Sequence, residues 1–249
     1  MDNPMTRSIR SLSLLLLLVP LPCTAQDLDT ILELNTRAVG GSDNWSRIEN
    51  VRILLEISEP GFEVTGTYVA TRDGNMRIDI MAGGQAVFRE GLFQDKAWQW
   101  TPEGGIEHQD ETAAAALRHG IDLPGRIFTL KDARNRGATL SLEDMVVEGD
   151  HSQWHVRVIL GDGFGRDYFI DQKTNITVRE RDYRAFHPAI DSTKVTIETH
   201  YRGEQWTNGV LSFERSENNN IETGEWMATN HVRSVEHNIE LAVDYFQPQ

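Results

Sequence analysis

The residue types best suited to chemistry stand in one polar stretch, "DYFIDQKTNITVRERDYR", Asp167 to Arg184. Asp167 and Asp171 have the spacing of a carboxylate pair, and Lys173 beside them could supply a proton or a cation. Acid–base carboxylates have to face one another across a few ångströms. Here the flanking residues alternate in character, with Tyr168 and Ile170 on one face before the polar knot. Ile176 and Val178 share a face after it, and Arg179 and Arg181 take the other. On a strand, residues four apart are separated by about 13 Å, so the two aspartates read as independent. Asp171 reads as a turn starter that bonds backbone amides, Asn175 as a residue able to turn left-handed, and Lys173 as a solubilising charge at the tip. The stretch is therefore expected to be a β-hairpin rather than a catalytic loop.

Other candidates yield to the same reasoning. His151 and His155 in "HSQWHVRV" sit on an alternating segment, where they lie too far apart to share a zinc ion. "GDGFGRD", residues 161–167, has a Gly-x-Gly-x-Gly spacing but falls between two strands, where it makes a turn and not a phosphate cradle. Gly-x-Ser-x-Gly and His-Glu-x-x-His are both missing from the sequence. No catalytic residue, metal ligand or cofactor is expected.

The elements that would position any site follow from pattern. Residues 1–25 read as a cleaved secretory signal: Arg7 and Arg10, the apolar run "LSLLLLLVP", then a small residue at Ala25. Cleavage there would remove Cys23, the only cysteine, and leave no disulfide or thiol chemistry. With 249 residues and 39% hydrophobic content the chain can bury a core. Its formal net charge of −14, without clustered Lys and Arg, argues against nucleic acid and anionic lipid surfaces as partners.

After the signal, "DLDTILELNTRAVGG" has helical spacing, with Asp27 or Asp29 as cap and Gly40-Gly41 as stop. "SDNWSRIENV" predicts a second short helix capped by Ser42. From "VRILLEIS" the period becomes two, and short strands separated by turn signals predict a curling antiparallel sheet. Two helical segments interrupt it, "ETAAAALRHG" and "PGRIFTLKDARNRG", the latter with Ile127, Leu130 and Ala133 on one stripe. One domain is expected over residues 26–249. Apolar side chains gather in consecutive strands, and Phe62, Val64, Tyr68, Met76, Ile78, Phe88, Phe93, Trp98 and Trp100 are expected to line a cavity for an apolar ligand.

Several segments resemble, in order, the outer-membrane lipoprotein-sorting or lipoprotein-carrier proteins, the LolA/LolB-like superfamily. They are "AVGGSDNWSRIENV", "FQDKAWQWTP", "DYFIDQKTNITVRERDYR", "NGVLSFE" and the closing "VRSVEHNIELAVDYFQP". Ile176-Thr177 stands where the family has Leu-Pro, and Ser212-Phe213 where it has Phe-Pro. The resemblance implies an α+β, mainly antiparallel fold, a half-open curled β-barrel with helices forming a lid over an apolar cavity. It implies a periplasmic, non-enzymatic carrier that binds lipid or the acyl chains of lipoproteins and passes them toward the outer membrane between membrane-bound donor and acceptor proteins. It also implies an arginine that latches the lid, which no motif places. An envelope-stress sensor on the same fold and a secreted hydrolase are the alternatives.

Overall fold

The computed structural model describes residues 27–188 and 191–249. The expected signal peptide and Cys23 lie outside these residues. The chain opens with helices α1 (Leu28–Ala38) and α2 (Ser42–Ser46). Six strands follow: β1 (Asn50–Glu59), β2 (Phe62–Thr71), β3 (Met76–Ala82), β4 (Gln85–Phe93), β5 (Lys96–Thr101) and β6 (Gly105–His108). Helices α3 (Glu111–Asp122) and α4 (Leu130–Asn135) come next. The rest is sheet again: β7 (Thr139–Leu142), β8 (Val146–Glu148), β9 (His151–Ile159), β10 (Gly165–Asp171), β11 (Thr177–Ala185), β12 (Lys194–Thr207), β13 (Val210–Asn220) and β14 (Trp226–His237).

All strands belong to one antiparallel sheet with the order β6-β5-β4-β3-β2-β1-β14-β13-β12-β11-β10-β9-β7, β8 pairing with β9 off this path. The first and last strands of that order, β6 and β7, are not paired with each other, so the curl stays open. Nearest-neighbour hairpins build each half, and the pairing of β1 with β14 joins them, Val51 opposite His237 and Ile53 opposite Val235.

Local sequence explains the helix ends. Asp27 caps α1 by accepting from the Thr30 amide at 2.8 Å. Gly40 then takes φ +125°, and a Cβ there would stand 2.3 Å from the Gly209 carbonyl oxygen, so only glycine fits against the β12–β13 turn. The expected cap of α2 is displaced by one residue: Ser42 is its first residue, Gly41 is the N-cap, and no side chain caps it. Trp45 fixes α2 instead, buried and donating from Nε1 to the Val39 carbonyl at 3.0 Å. In the second helical segment only Leu130–Asn135 is helical, because Thr129 and Asp132 form a capping box that starts the helix there. Ile127 therefore lies in the α3–α4 connector and not on a helical stripe.

The four helices lie on one face of the sheet. Trp45, Ile48, Ile121, Ile127 and Phe128 pack on Val51, Tyr68, Ala70, Met76, Leu92 and Ala97 of β1–β5. Ile31, Leu32 and Leu130 pack on Val156, Val158, Tyr168 and Ile170 of β9 and β10. One half of the sheet thus packs on α2 and α3 and the other on α1 and α4, and the face they share is concave.

The hairpin read from Asp167 to Arg184 is present. Asp171 accepts from the Lys173 and Thr174 amides, each at 2.9 Å, and Asn175 has φ 59°.

Candidate functional site

Alternation and register decide which side chains share the concave face. Ala70 pairs with Met76, Tyr68 with Ile78 and Gly66 with Ile80. Met76 pairs with Leu92, Ile78 with Glu90 and Ile80 with Phe88. The lower part of this face, Val51, Ala70, Met76, Leu92 and Ala97, is filled by the helices. Above it Leu55, Ile57, Val64, Ile78, Ile80 and Phe88 belong to neither packed cluster and are half-buried. The Ile57 and Ile80 methyl ends lean over Gly66, 3.2 and 3.3 Å from where its Cβ would be. These residues form an apolar wall that ends at an exposed Phe62 in the β1–β2 hairpin.

Six of the nine side chains expected to line a cavity share this face: Phe62, Val64, Tyr68, Met76, Ile78 and Phe88. Tyr68 and Met76 are fully covered, whereas the others retain accessible surface. Phe93, Trp98 and Trp100 project from the opposite, convex face, because they alternate with the inward Leu92, Ala97 and Gln99. Trp98 is buried there under the C-terminal segment. It donates from Nε1 to the Phe246 carbonyl at 2.9 Å, and its ring lies 2.7 Å from where a Gly91 Cβ would stand. The Arg77 guanidinium lies 5.7 Å from the Trp98 ring and donates to the Tyr245 carbonyl at 3.0 Å. Trp98 is thus held by the C-terminal segment, and all three aromatics face away from the concavity.

The other concave wall is polar. Arg166 on β10 forks onto Asp182 of β11 through Nε and Nη2, at 2.9 and 2.6 Å, and donates from Nη1 to Glu180 at 3.0 Å. Arg184 places Nε 3.1 Å from the second Asp182 oxygen. Thr199 bonds Asn218 across β12 and β13 at 2.8 Å, and Asn230 bonds Ser216 at 3.1 Å. On the apolar wall Glu90 has no hydrogen-bond partner among the described residues, and burial pushes its carboxyl up to about 7, against a smaller opposing pull from His187.

Arg72, at the end of β2, is a residue that sequence reasoning missed. It donates to three backbone carbonyls: Ile48 at 2.7 Å, Trp45 at 2.6 Å and Ile127 at 3.1 Å. It thereby ties the sheet to α2 and to the α3–α4 connector, with Phe128 packed against the guanidinium.

Five of the eight histidines pair with carboxylates, among them His119 with Asp162 at 2.6 Å, His155 with Asp167 at 3.0 Å and His151 with Asp171 at 3.2 Å. His151 and His155 lie on one strand, as expected. Among the described residues no histidine hydrogen-bonds a serine, threonine or cysteine, and no group of three or more His, Cys, Asp or Glu is gathered as metal ligands.

This open, curled antiparallel sheet, its concavity partly filled by helices, is similar in fold to several solved structures. The chain is similar to a LolA superfamily protein from Nitrosomonas europaea, with a TM-score of 0.55 at 10% identity over 88% of this chain and 96% of that one. A DUF1329 family protein from Desulfovibrio piger is similar at a TM-score of 0.56 and 13% identity, covering 88% and 96%. A domain assigned to outer membrane lipoprotein sorting from Vibrio parahaemolyticus gives 0.55 at 9% identity, covering 87% and 95%. No family model and no curated protein matches the sequence.

Proposed function

We propose that the chain is a carrier of lipids or of lipoprotein acyl chains, exported through removal of residues 1–25 and working in the periplasm. The supporting observation is the uncovered half of the concave face, where Leu55, Ile57, Val64, Ile78, Ile80 and Phe88 keep accessible surface inside a curl too open to pack on itself. Apolar surface in a concavity gains roughly 25 cal/mol for each Å² covered by a hydrocarbon chain. Loading therefore needs no covalent step, and release needs only a competing apolar site on a receiving protein or membrane.

In this reading Arg72 is the latch: its bonds to Trp45, Ile48 and Ile127 hold the connector down over the sheet. The similarity in fold to a domain assigned to lipoprotein sorting supports the class of cargo. Native mass spectrometry of the protein purified from an envelope fraction tests the reading. Co-purified lipid, displaced by an acyl-chain fluorophore, is the expected result. A protein that carries no lipid and takes up no acyl probe overturns it.

A further inference from the structure

The concavity is not uniformly apolar, and its polar side carries a cation in excess. Arg166, Arg184 and Arg126 converge there with only two carboxylates, Glu180 and Asp182. Arg166 and Arg184 engage both of them. Arg126 has no carboxylate partner among the described residues. It extends from the α3–α4 connector over the Tyr68 ring, 4.4 Å from the ring centroid, donates to the Gly120 carbonyl at 3.3 Å, and lies within reach of the Tyr68 hydroxyl and of the Glu180 charge. Next to it in the chain, Gly125 would bring a Cβ within 3.7 Å of Glu180, so the connector lies between the two walls. The Arg126 side chain is nonetheless exposed.

An exposed arginine with no salt bridge is hydrated at rest and can exchange that water for an anionic ligand. This chain has a formal net charge of −14, so a surplus cation inside the concavity is opposite in sign to the surface around it. The guanidinium is also pre-oriented by the Tyr68 ring, with donors left over for a forked acceptor. Tyr68 belongs by register to the same face as the apolar wall of Ile57, Ile80 and Phe88. Arg126 thus stands beside an apolar wall on the concave face.

We propose that the cargo is an anionic amphiphile, whose chain covers the apolar wall and whose carboxylate or phosphate is bound by Arg126. This rests on the carrier reading and narrows it. A neutral hydrocarbon, or an acylated peptide with a blocked amine, would leave Arg126 unanswered.

The test compares three probes with the same sixteen-carbon chain, hexadecanoate, hexadecyl phosphate and hexadecanol, by displacement of an acyl fluorophore. The full chain and its R126Q and R126K variants are used, with thermal melts to verify folding. The expected result is that one or both anions bind about tenfold or more tighter than the alcohol, consistent with about 1.4 kcal/mol for one charge-assisted contact. R126Q removes that preference and leaves the alcohol unchanged, while R126K keeps part of it. Which anion gains more tells carboxylate from phosphate. Equal binding of all three probes, or a preference that survives in R126Q, overturns the headgroup assignment and leaves the carrier reading standing. If none of the three binds, the carrier reading falls and this assignment falls with it.

Discussion

Tyr68 and Tyr168 stand six places apart in the strand order, yet their hydroxyls donate to carbonyls four residues apart in the helical insertion, Gly120 at 3.3 Å and Pro124 at 3.4 Å. Six steps across a flat sheet would separate them by about 29 Å. The sheet must therefore curl, and the end of α3 is the point on which its two halves converge. Each bond is long and contributes on the order of 0.5–1 kcal/mol. The Y68F/Y168F double variant should therefore lose about 1–2 kcal/mol, and the amides of residues 120–130 should exchange faster with solvent. Unchanged exchange there would mean that apolar packing alone holds the insertion.

Arg72 should carry more. Its guanidinium satisfies the Ile48 and Ile127 carbonyls and adds a second donor to the Trp45 carbonyl, which also accepts from the Ile48 amide, and charged hydrogen bonds contribute about 1.5–3 kcal/mol each where the acceptor is otherwise stranded. Substituting Arg72→Leu should cost about 3 kcal/mol or more in denaturant unfolding. Arg72→Lys, which cannot span three acceptors, should recover only part of that. If Arg72→Lys equals the parent protein, a single bond and not the three-way tie is what matters.

How much of this was legible in the sequence depends on how local the cause is. The hairpin of Asp167 to Arg184 was readable because Asp171 and Asn175 act within their own turn, and the cap at Asp27 likewise acts three residues away. The face taken by Trp98 was not readable. Alternation places Ala97 and Trp98 on opposite faces without saying which is inward. Inward space there is taken by α3, which leaves room only for a methyl at Ala97. What covers Trp98 is Phe246, 148 residues further along the chain. Arg72 gave no signal because its partners are backbone carbonyls, which leave no trace in side-chain identity. Arg126 likewise stacks on the Tyr68 ring, with β3 to β6 and α3 between them in the chain.

Glu198 gives a pH-dependent test on the convex face. Burial opposes its charge, but hydrogen bonds from His200 and Arg181 and the nearby Arg179 charge overcome this and bring the carboxyl down to about 2. Between about 2 and the ordinary value of 4.5 the native state binds fewer protons than the unfolded chain. The stability from this group is therefore complete above 4.5 and is lost as pH falls toward 2. Glu198→Gln should cost about 3 kcal/mol at pH 7, with the deficit shrinking below pH 4.5. A deficit that stays constant from pH 7 to pH 3 would point to lost shape, not lost charge.

Glu90 should behave in the opposite sense. Its carboxyl titrates near 7 in the folded chain and near 4.5 when unfolded. The native state therefore holds the extra proton between those values, and stability falls as pH rises from about 4.5 through 7. Glu90→Gln should melt like the parent at pH 4.5 and at a higher temperature at pH 8. Parallel melting curves at both pH values would show that water in the open concavity solvates the Glu90 anion fully.

The division of the sheet into two faces makes the sharpest prediction about binding. Ile80 and Phe88 pair across β3 and β4 on the concave side, whereas Trp98 and Phe93 lie on the convex side. An acyl chain seated in the curl touches the first pair and never the second. Ile80→Asp should abolish uptake of an acyl fluorophore, because it places a charge where the chain must lie and offers it no partner. Phe88→Ala should weaken uptake by about tenfold, in line with the loss of roughly 1.5 kcal/mol of ring contact. Trp98→Phe removes the bond to the Phe246 carbonyl and should lower the melting temperature while leaving the probe affinity unchanged. Gly91→Ala should act the same way, since its methyl meets the Trp98 ring. Loss of uptake in Trp98→Phe at temperatures where it remains folded, together with normal uptake in Ile80→Asp, would place the ligand on the convex face and reverse the assignment of the site.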